Sequence, residues 1–255
     1  MYDLERQDRI IEILKEKNSI SVNKLANILF VSGATIRRDL SKMEQKGLVV
    51  RTFGAVILNP NPSNRETSFE LREKTNVVEK RLLCQKAADM IIDNTSIFFD
   101  SSTTLLHIVP YLNNFSNLTI ITNGLFIANE IITKTKHRVI ICGGEIQANT
   151  NSILGAIAYD SLNNFHVDLS IVSTAGVVLK KDEGFSESTV DSAKIKNILA
   201  KNAQKVICLV DATKINTNSL YKSIELGDVD VIISTYELTK EEKELLENNN
   251  ILYVN

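Results

Sequence analysis

Two sets of residues in this 255-residue sequence are of types that do chemistry. The first is compact and falls between positions 32 and 51: Ser32, Thr35, Arg37, Arg38, Ser41, Lys42 and Arg51. Arginine carries a planar fork of donors that can meet a guanine edge or a phosphate in two places at once, and hydroxyls and lysine suit phosphate oxygens. The second set is dispersed: Asp100-Ser101-Ser102-Thr103-Thr104, Thr122-Asn123, Gly143-Gly144, Gly155, Gly176, Glu187, Lys194, Asp211 and Lys214. Hydroxyls and free backbone N–H groups cradle an anion, and lysines supply charge to it. Carboxylates such as Asp100 and Glu187 accept hydrogen bonds from hydroxyl groups, so the set suits a small polyhydroxylated anion.

The compact set needs a helix to present it. Ser32 is a good helix cap, because its hydroxyl can accept an orphan N–H of the first turn. At roughly 100° per residue, Ile36, Leu40 and Met43 share one face and pack inward, while Ala34, Arg38, Ser41 and Lys42 take the opposite face. Thr35 and Arg37 flank that outer face. Upstream, Leu4–Lys17 is patterned as an amphipathic helix, and Val22–Leu29 as a short second one capped by Ser21. Two short helices joined by the turn Phe30-Val31-Ser32 make a helix-turn-helix, whose second helix enters the DNA major groove. Leu48–Thr52 and Ala55–Leu58 then read as a two-stranded wing from which Arg51 reaches a phosphate. On this reading Arg37 and Arg38 read bases, while Thr35, Lys42 and Arg51 hold phosphates.

The dispersed set needs a sheet. Two of the chain's three prolines fall in Asn59-Pro60-Asn61-Pro62-Ser63-Asn64, which marks a boundary. We place a winged helix-turn-helix domain at residues 1–58, a linker at 59–75 and an α/β domain at 76–255. In the last, strand-like and helix-like segments alternate, among them strands at Ser96–Phe99, Leu118–Ile121, Arg138–Cys142, Val167–Val172, Val206–Val210, Val229–Ile233 and Ile251–Val254. The helical segments are Val77–Met90, Thr103–Leu112, Leu125–Ile132, Ile157–Asn164, Thr189–Asn202 and Lys240–Asn248. Such alternation implies a mainly parallel sheet covered by helices on both faces, with ligands at the carboxyl ends of the strands. The dispersed polar residues fall largely at those ends. Each taken alone has a plainer use, since Asp, Ser and Thr cap helices and glycine turns corners.

The chain resembles the DeoR family of bacterial transcriptional regulators. In the head the resemblance is carried by Ser32, by Thr35-Ile36-Arg37-Arg38-Asp39-Leu40, by Gly47-Leu48, and by Arg51 with Gly54. In the body it is carried by Phe69, Arg72, Glu79-Lys80 and Ala87-Ala88, and then by most of the dispersed set above together with Gly184-Phe185-Ser186. The resemblance implies a winged helix-turn-helix head and a Rossmann-like sensor domain, similar in fold to ribose-5-phosphate isomerase and coenzyme A transferases, that binds a phosphorylated sugar. Three positions depart from the family's pattern: Ala55 replaces a wing glycine, Ser102 a glycine near the first aspartate, and Ile215 an aromatic residue after the last lysine.

Composition narrows the alternatives. Residues 1–58 hold 10 Lys+Arg against 7 Asp+Glu, whereas the whole chain carries a net −2, so a mildly basic head sits on an acidic body. Cys84, Cys142 and Cys208 are widely spaced and read as buried free thiols, and neither they nor the three histidines suggest a metal site. No cofactor and no catalytic residue is expected. No apolar run reaches the roughly 20 residues of a membrane span, and the expected location is the cytoplasm. The expected activity is operator binding by a homo-oligomer, a dimer or tetramer, that represses sugar-metabolism genes under a sugar-phosphate effector. The alternative is a sugar-phosphate isomerase carrying a DNA-binding head, with Asp100 and Glu187 as acid and base and Lys194 as charge stabiliser.

Overall fold

Apolar residues at helical spacing close the first of two units around a small core. A computed structural model describes residues 3–45, 48–52, 55–58 and 68–255, and internal contacts divide the chain into Met1–Ser68 and Phe69–Asn255. Expectations placed on Gly47, Gly54 and the proline-containing stretch 59–64 lie outside the described residues.

The first unit contains α1 (Asp3–Lys17), β1 (Ser19–Ile20), α2 (Val22–Ile28), α3 (Gly33–Gln45), β2 (Val49–Thr52) and β3 (Ala55–Leu58). β2 and β3 pair antiparallel from Val49 opposite Leu58 to Thr52 opposite Ala55, and β1 adds to the far side of β3. Ile10, Leu14, Leu25, Ile36, Leu40, Met43, Val49 and Val56 form its core. The end of α2 is a Schellman motif, in which the Phe30 N–H reaches the Asn27 carbonyl and the Val31 N–H the Ala26 carbonyl. The residue that must then be left-handed is Phe30, at φ 54° and 94% exposed, where glycine would be unstrained.

The second unit opens with α4 (Phe69–Lys74) and α5 (Val77–Ala88). Residues 69–74 of the stretch expected to be linker are therefore a helix, anchored by buried Phe69. Then follow β4 (Ser96–Phe99), α6 (Val109–Leu112), β5 (Thr119–Thr122), α7 (Leu125–Lys134), β6 (Arg138–Ile141), β7 (Glu145–Gln147), β8 (Ser152–Leu154), α8 (Ala156–Asn163), β9 (Val167–Ser173), β10 (Gly176–Val177), β11 (Gly184–Glu187), α9 (Val190–Lys201), β12 (Ala203–Leu209), β13 (Tyr221–Glu225), β14 (Val231–Ile233), α10 (Lys240–Asn248) and β15 (Leu252–Val254).

Seven of these strands form one parallel sheet in the order β15-β14-β12-β9-β4-β5-β6. Alternation along β4 sends Phe98 into the core on one face, and Ile97 and Phe99 into the core on the other. Strand order reverses between β4 and β9, the place where an open α/β sheet leaves a crevice at its carboxyl edge.

Two features differ from the sequence expectation. In place of one helix over Thr103–Leu112 there is a 3₁₀ turn, Leu105–Ile108, followed by the single α-turn of α6, with Pro110 in that turn. Proline is comfortable at a helix start and not in its interior, so the segment breaks there. The β7–β8 hairpin and a small antiparallel sheet of β10, β11 and β13 are additional. Their strands are short, and nothing in their periodicity separates them from loop.

Candidate functional site

In the head, α3 starts where Ser32 places it: Ser32 Oγ accepts the Thr35 N–H at 3.1 Å and lies 2.9 Å from Thr35 Oγ1. Ile36, Leu40 and Met43 are fully buried, while Arg37, Arg38 and Lys42 are exposed and Ser41 half-buried. The basic side chains thus stand on the side of α3 away from the head's core. Asp39, between them and the core, forms a buried fork with Arg6 of α1: Arg6 Nε donates to Oδ2 at 2.6 Å and Nη2 to Oδ1 at 3.2 Å. This pair fixes how α3 sits on α1. Arg51 does not project freely from the wing, because its guanidinium donates to Glu44 Oε2 at 2.6 and 2.9 Å and its backbone N–H to Oε1 at 3.3 Å.

In the second unit the dispersed residues meet mainly at the sheet's reversal. Asp100 directly follows β4 and Ser173 ends β9, and the Ser173 N–H donates to Asp100 Oδ2 at 3.1 Å across the crevice. The Ser102 N–H donates to Asp100 Oδ1 at 3.0 Å. Lys196 Nζ donates to Asp100 Oδ2 at 2.7 Å and to the Ser173 carbonyl, and stands 3.1 Å from Glu187 Oε1. Glu187 also accepts the Ala175 N–H at 3.2 Å. Burial disfavours the charge on Asp100, yet Lys196 and the Ser102 hydrogen bonds hold its carboxyl below the usual range. Burial likewise opposes the charge on Lys196, but Asp100 and Glu187 push its pKa up.

A second lysine pair flanks this group. Lys214 Nζ lies 3.3 Å from Asp211 and 3.5 Å from Ser173 Oγ, which also accepts from Thr104 Oγ1 at 3.4 Å. Burial raises the cost of the Asp211 charge, but Lys214 and Thr213 hold its pKa below the usual range. Lys80, from α5, is 4% exposed and donates to Thr103 Oγ1 at 3.0 Å and to the Arg72 carbonyl. No carboxylate pairs with it among the described residues. Burial, then the nearby Lys214, lower its pKa to about 8, against a smaller opposing pull from Asp211.

On the other flank, Ser101 Oγ accepts from Ser152 Oγ at 2.7 Å and from Asn123 Nδ2 at 3.4 Å. Asn123 Nδ2 also reaches the Ile153 carbonyl at 3.2 Å, while its Oδ1 is buried without a partner, as is Ser102 Oγ. Both atoms lie at strand ends next to Ser101, and a buried polar atom with no partner calls for one.

Several expected residues have other work. Lys194 is exposed and lies 5.4 Å over the Tyr159 ring, and Lys196 takes the inner position. The two are about 200° apart on α9, so they cannot both face the sheet. Thr122 is buried and spends its hydroxyl on the Gly124 N–H at 3.0 Å. Gly176 is a packing glycine, since a Cβ there would stand 2.4 Å from the Thr217 carbonyl. Gly144, at φ 145°, and Gly155, at φ 89°, flank the β7–β8 hairpin, next to exposed Gly143.

Both lysines that sequence reasoning missed carried a signal. Lys80 shares a helical stripe with Leu83, Cys84 and Ala87, and Lys196 one with Ala193, Leu199 and Ala200. A lysine interrupting an apolar stripe is a buried cation, and a buried cation needs a partner.

Two family models match the chain: a DeoR-like helix-turn-helix domain over residues 6–61, and the DeoR C-terminal sensor domain over residues 75–235. The chain belongs to the DeoR family. It is 32% identical over 240 residues to the HTH-type transcriptional regulator GolR of Listeria innocua, covering 94% of this chain and 93% of that one. It is 29% identical over 236 residues to the glycerol-3-phosphate regulon repressor of Escherichia coli, covering 92% and 91%. A ribose 5-phosphate isomerase A from Methanocaldococcus jannaschii aligns over 55% of each chain at 14% identity, with a TM-score of 0.41. This DeoR-family chain is thus a transcriptional regulator built from a DNA-binding head and a sensor domain. Among the described residues, no helix is long and apolar enough to cross a membrane.

Proposed function

We propose that this regulator represses genes of sugar metabolism from the cytoplasm, and that a phosphorylated sugar seated at the β4–β9 crevice controls it. The observation that carries the reading is Lys80, a buried amine with no carboxylate partner among the described residues, bonded to Thr103 and close to Lys214, at strand ends that also carry the unanswered Ser102 Oγ and Asn123 Oδ1. A phosphate is the complement of two close ammonium groups and a ring of hydroxyls, and sugar hydroxyls answer an open amide oxygen. The name of the glycerol-3-phosphate regulon repressor, a relative along nearly the whole chain, supports a small phosphorylated polyhydroxy effector.

Arg37 and Arg38 supply base contacts, and Ser32, Thr35, Ser41 and Lys42 hold phosphates. One recognition helix reads few base pairs, so the active species is at least a dimer on a repeated site. The isomerase alternative is disfavoured by the state of the carboxylates. Asp100 and Glu187 are both engaged by Lys196 and by backbone N–H groups, which leaves neither poised as a base.

The test joins three measurements on the full chain. Duplexes selected from a random pool should bind in gel shifts, and Arg38→Ala should cost about 1–3 kcal/mol and flatten discrimination against mismatched sites. Calorimetry with ribose 5-phosphate, fructose 6-phosphate and sn-glycerol 3-phosphate should give binding without turnover. Loss of sequence preference in the wild type, or conversion of any of these compounds, would overturn the reading.

A further inference from the structure

Lys80 bridges two parts of the second unit. Its ammonium donates to the Arg72 carbonyl, in the last turn of α4, and to Thr103 Oγ1 in the crevice. α4 has six residues. A helix that short does not hold itself in water, and its last carbonyls need partners. Its start is fixed by the Phe69 N–H, which donates to the Asn149 carbonyl at 2.9 Å, and by the Phe69 ring, stacked on Phe126 with centroids 4.8 Å apart. Its end is fixed by the Thr75 N–H and by Lys80, both on the Arg72 carbonyl. A cation there also meets the negative end of the helix dipole.

An ammonium has three N–H donors, and the Arg72 and Thr103 bonds use two of them. We propose that the effector's phosphate takes the third, so that one ammonium holds the anion, the crevice and the carboxyl end of α4 together, and effector binding tightens residues 69–76 onto the sensor domain. This rests on the reading of the crevice as a phosphate seat. The direction follows from charge. A bound anion fixes the ammonium at the position from which it also reaches Thr103 Oγ1 and the Arg72 carbonyl, so the charge at the helix end is held in place. Residues 69–76 are the first of the sensor unit to follow the stretch that leads from the head, so this clamp is where occupancy of the crevice reaches that connection.

Hydrogen exchange on the full-length protein tests it, with and without saturating ribose 5-phosphate, fructose 6-phosphate, sn-glycerol 3-phosphate or inorganic phosphate, whichever calorimetry shows to bind. Peptides spanning 69–76 should exchange about threefold or more slowly in the bound protein. Lys80→Met and Lys80→Gln should exchange faster there without ligand and show no slowing at saturation. Lys214→Met should bind more weakly yet keep the slowing once saturated. Binding to the wild type with unchanged or faster exchange at 69–76 overturns the clamp and leaves the phosphate seat standing. Failure of every probe to bind overturns the seat, and the clamp with it.

Discussion

Lys196 Nζ stands between two carboxylates, 2.7 Å from Asp100 and 3.1 Å from Glu187, with all three side chains buried. Lys196→Met would leave two buried carboxylates facing each other, a loss of about 3–5 kcal/mol for a broken buried pair. Lys194→Ala, on the same helix but exposed over Tyr159, should cost less than about 1 kcal/mol. Urea unfolding of the two variants separates them. Because the Asp100 pKa is depressed, its share of stability is present above the ordinary carboxylate range and lost as pH falls through the folded value.

The Arg6–Asp39 pair makes the opposite use of a motif that looks like DNA chemistry. Asp39 follows Arg37 and Arg38 in the chain, yet it is 1% exposed and holds α1. Asp39→Ala takes the forked carboxylate away from the buried Arg6 guanidinium and should cost about 3 kcal/mol. Thermal unfolding should show the loss, and operator binding should fall with the folded fraction. Recovery of operator affinity at low temperature, with unchanged site preference, would fit a residue that supports α3 and does not read DNA.

These two clusters show what was legible in the sequence. The strand ends and the inward face of α3 follow from periodicity, which one chain displays fully, and Asp100, Thr103, Asp211 and Lys214 fall where that pattern puts them, whereas Glu187 lies on β11, a strand that periodicity does not mark. Pairings such as Arg6 with Asp39 join residues 33 positions apart and depend on how two helices cross, which local spacing does not encode. Lys80 and Lys196 are legible in principle, as cations inside apolar stripes, whereas Lys194 lies about 200° from Lys196 around α9 and outside that stripe. The β7–β8 hairpin was not legible, because three-residue strands carry too short a pattern to separate from a loop.

Glu44 occupies the guanidinium of Arg51 at 2.6 Å. Both side chains are partly exposed, so the pair contributes at most about 1 kcal/mol to stability. Glu44→Gln should release Arg51 toward DNA phosphates and remove a negative charge from the face near α3. Affinity for non-cognate duplex should rise, and the slope of log K against log salt should steepen by about one. An unchanged slope would place Arg51 away from the phosphate backbone.

Phe30 closes the Schellman motif with a left-handed backbone, an exposed ring and no glycine. A non-glycine residue in that conformation costs about 1 kcal/mol or more, only part of which is offset by glycine's greater freedom in the unfolded chain. Phe30→Gly should therefore stabilise the protein by about 0.5–1 kcal/mol. A stability gain with unchanged operator affinity marks Phe30 as tolerated strain. A gain accompanied by weaker DNA binding would assign the exposed ring to the DNA contact.

The pH dependence of effector binding follows from Lys80. Its pKa of about 8 in the free protein reflects first burial and then the neighbouring Lys214. A bound dianion favours the charged amine, so binding above pH 8 must first take up a proton. Affinity should hold steady between about pH 7 and 8, where phosphate is already largely dianionic. Above that it should fall by up to about tenfold per pH unit until the bound-state pKa is reached. The stability of the free protein moves the other way: between pH 8 and 10.5 the unfolded chain keeps the proton that folded Lys80 has released, so this group stabilises the fold as pH rises. Calorimetry from pH 7 to 10 in buffers of different ionisation enthalpy reads the proton uptake directly. Lys80→Met should weaken binding at pH 7 and remove the fall above pH 8, and a Met variant that kept the wild-type profile would overturn the assignment of the titration to Lys80.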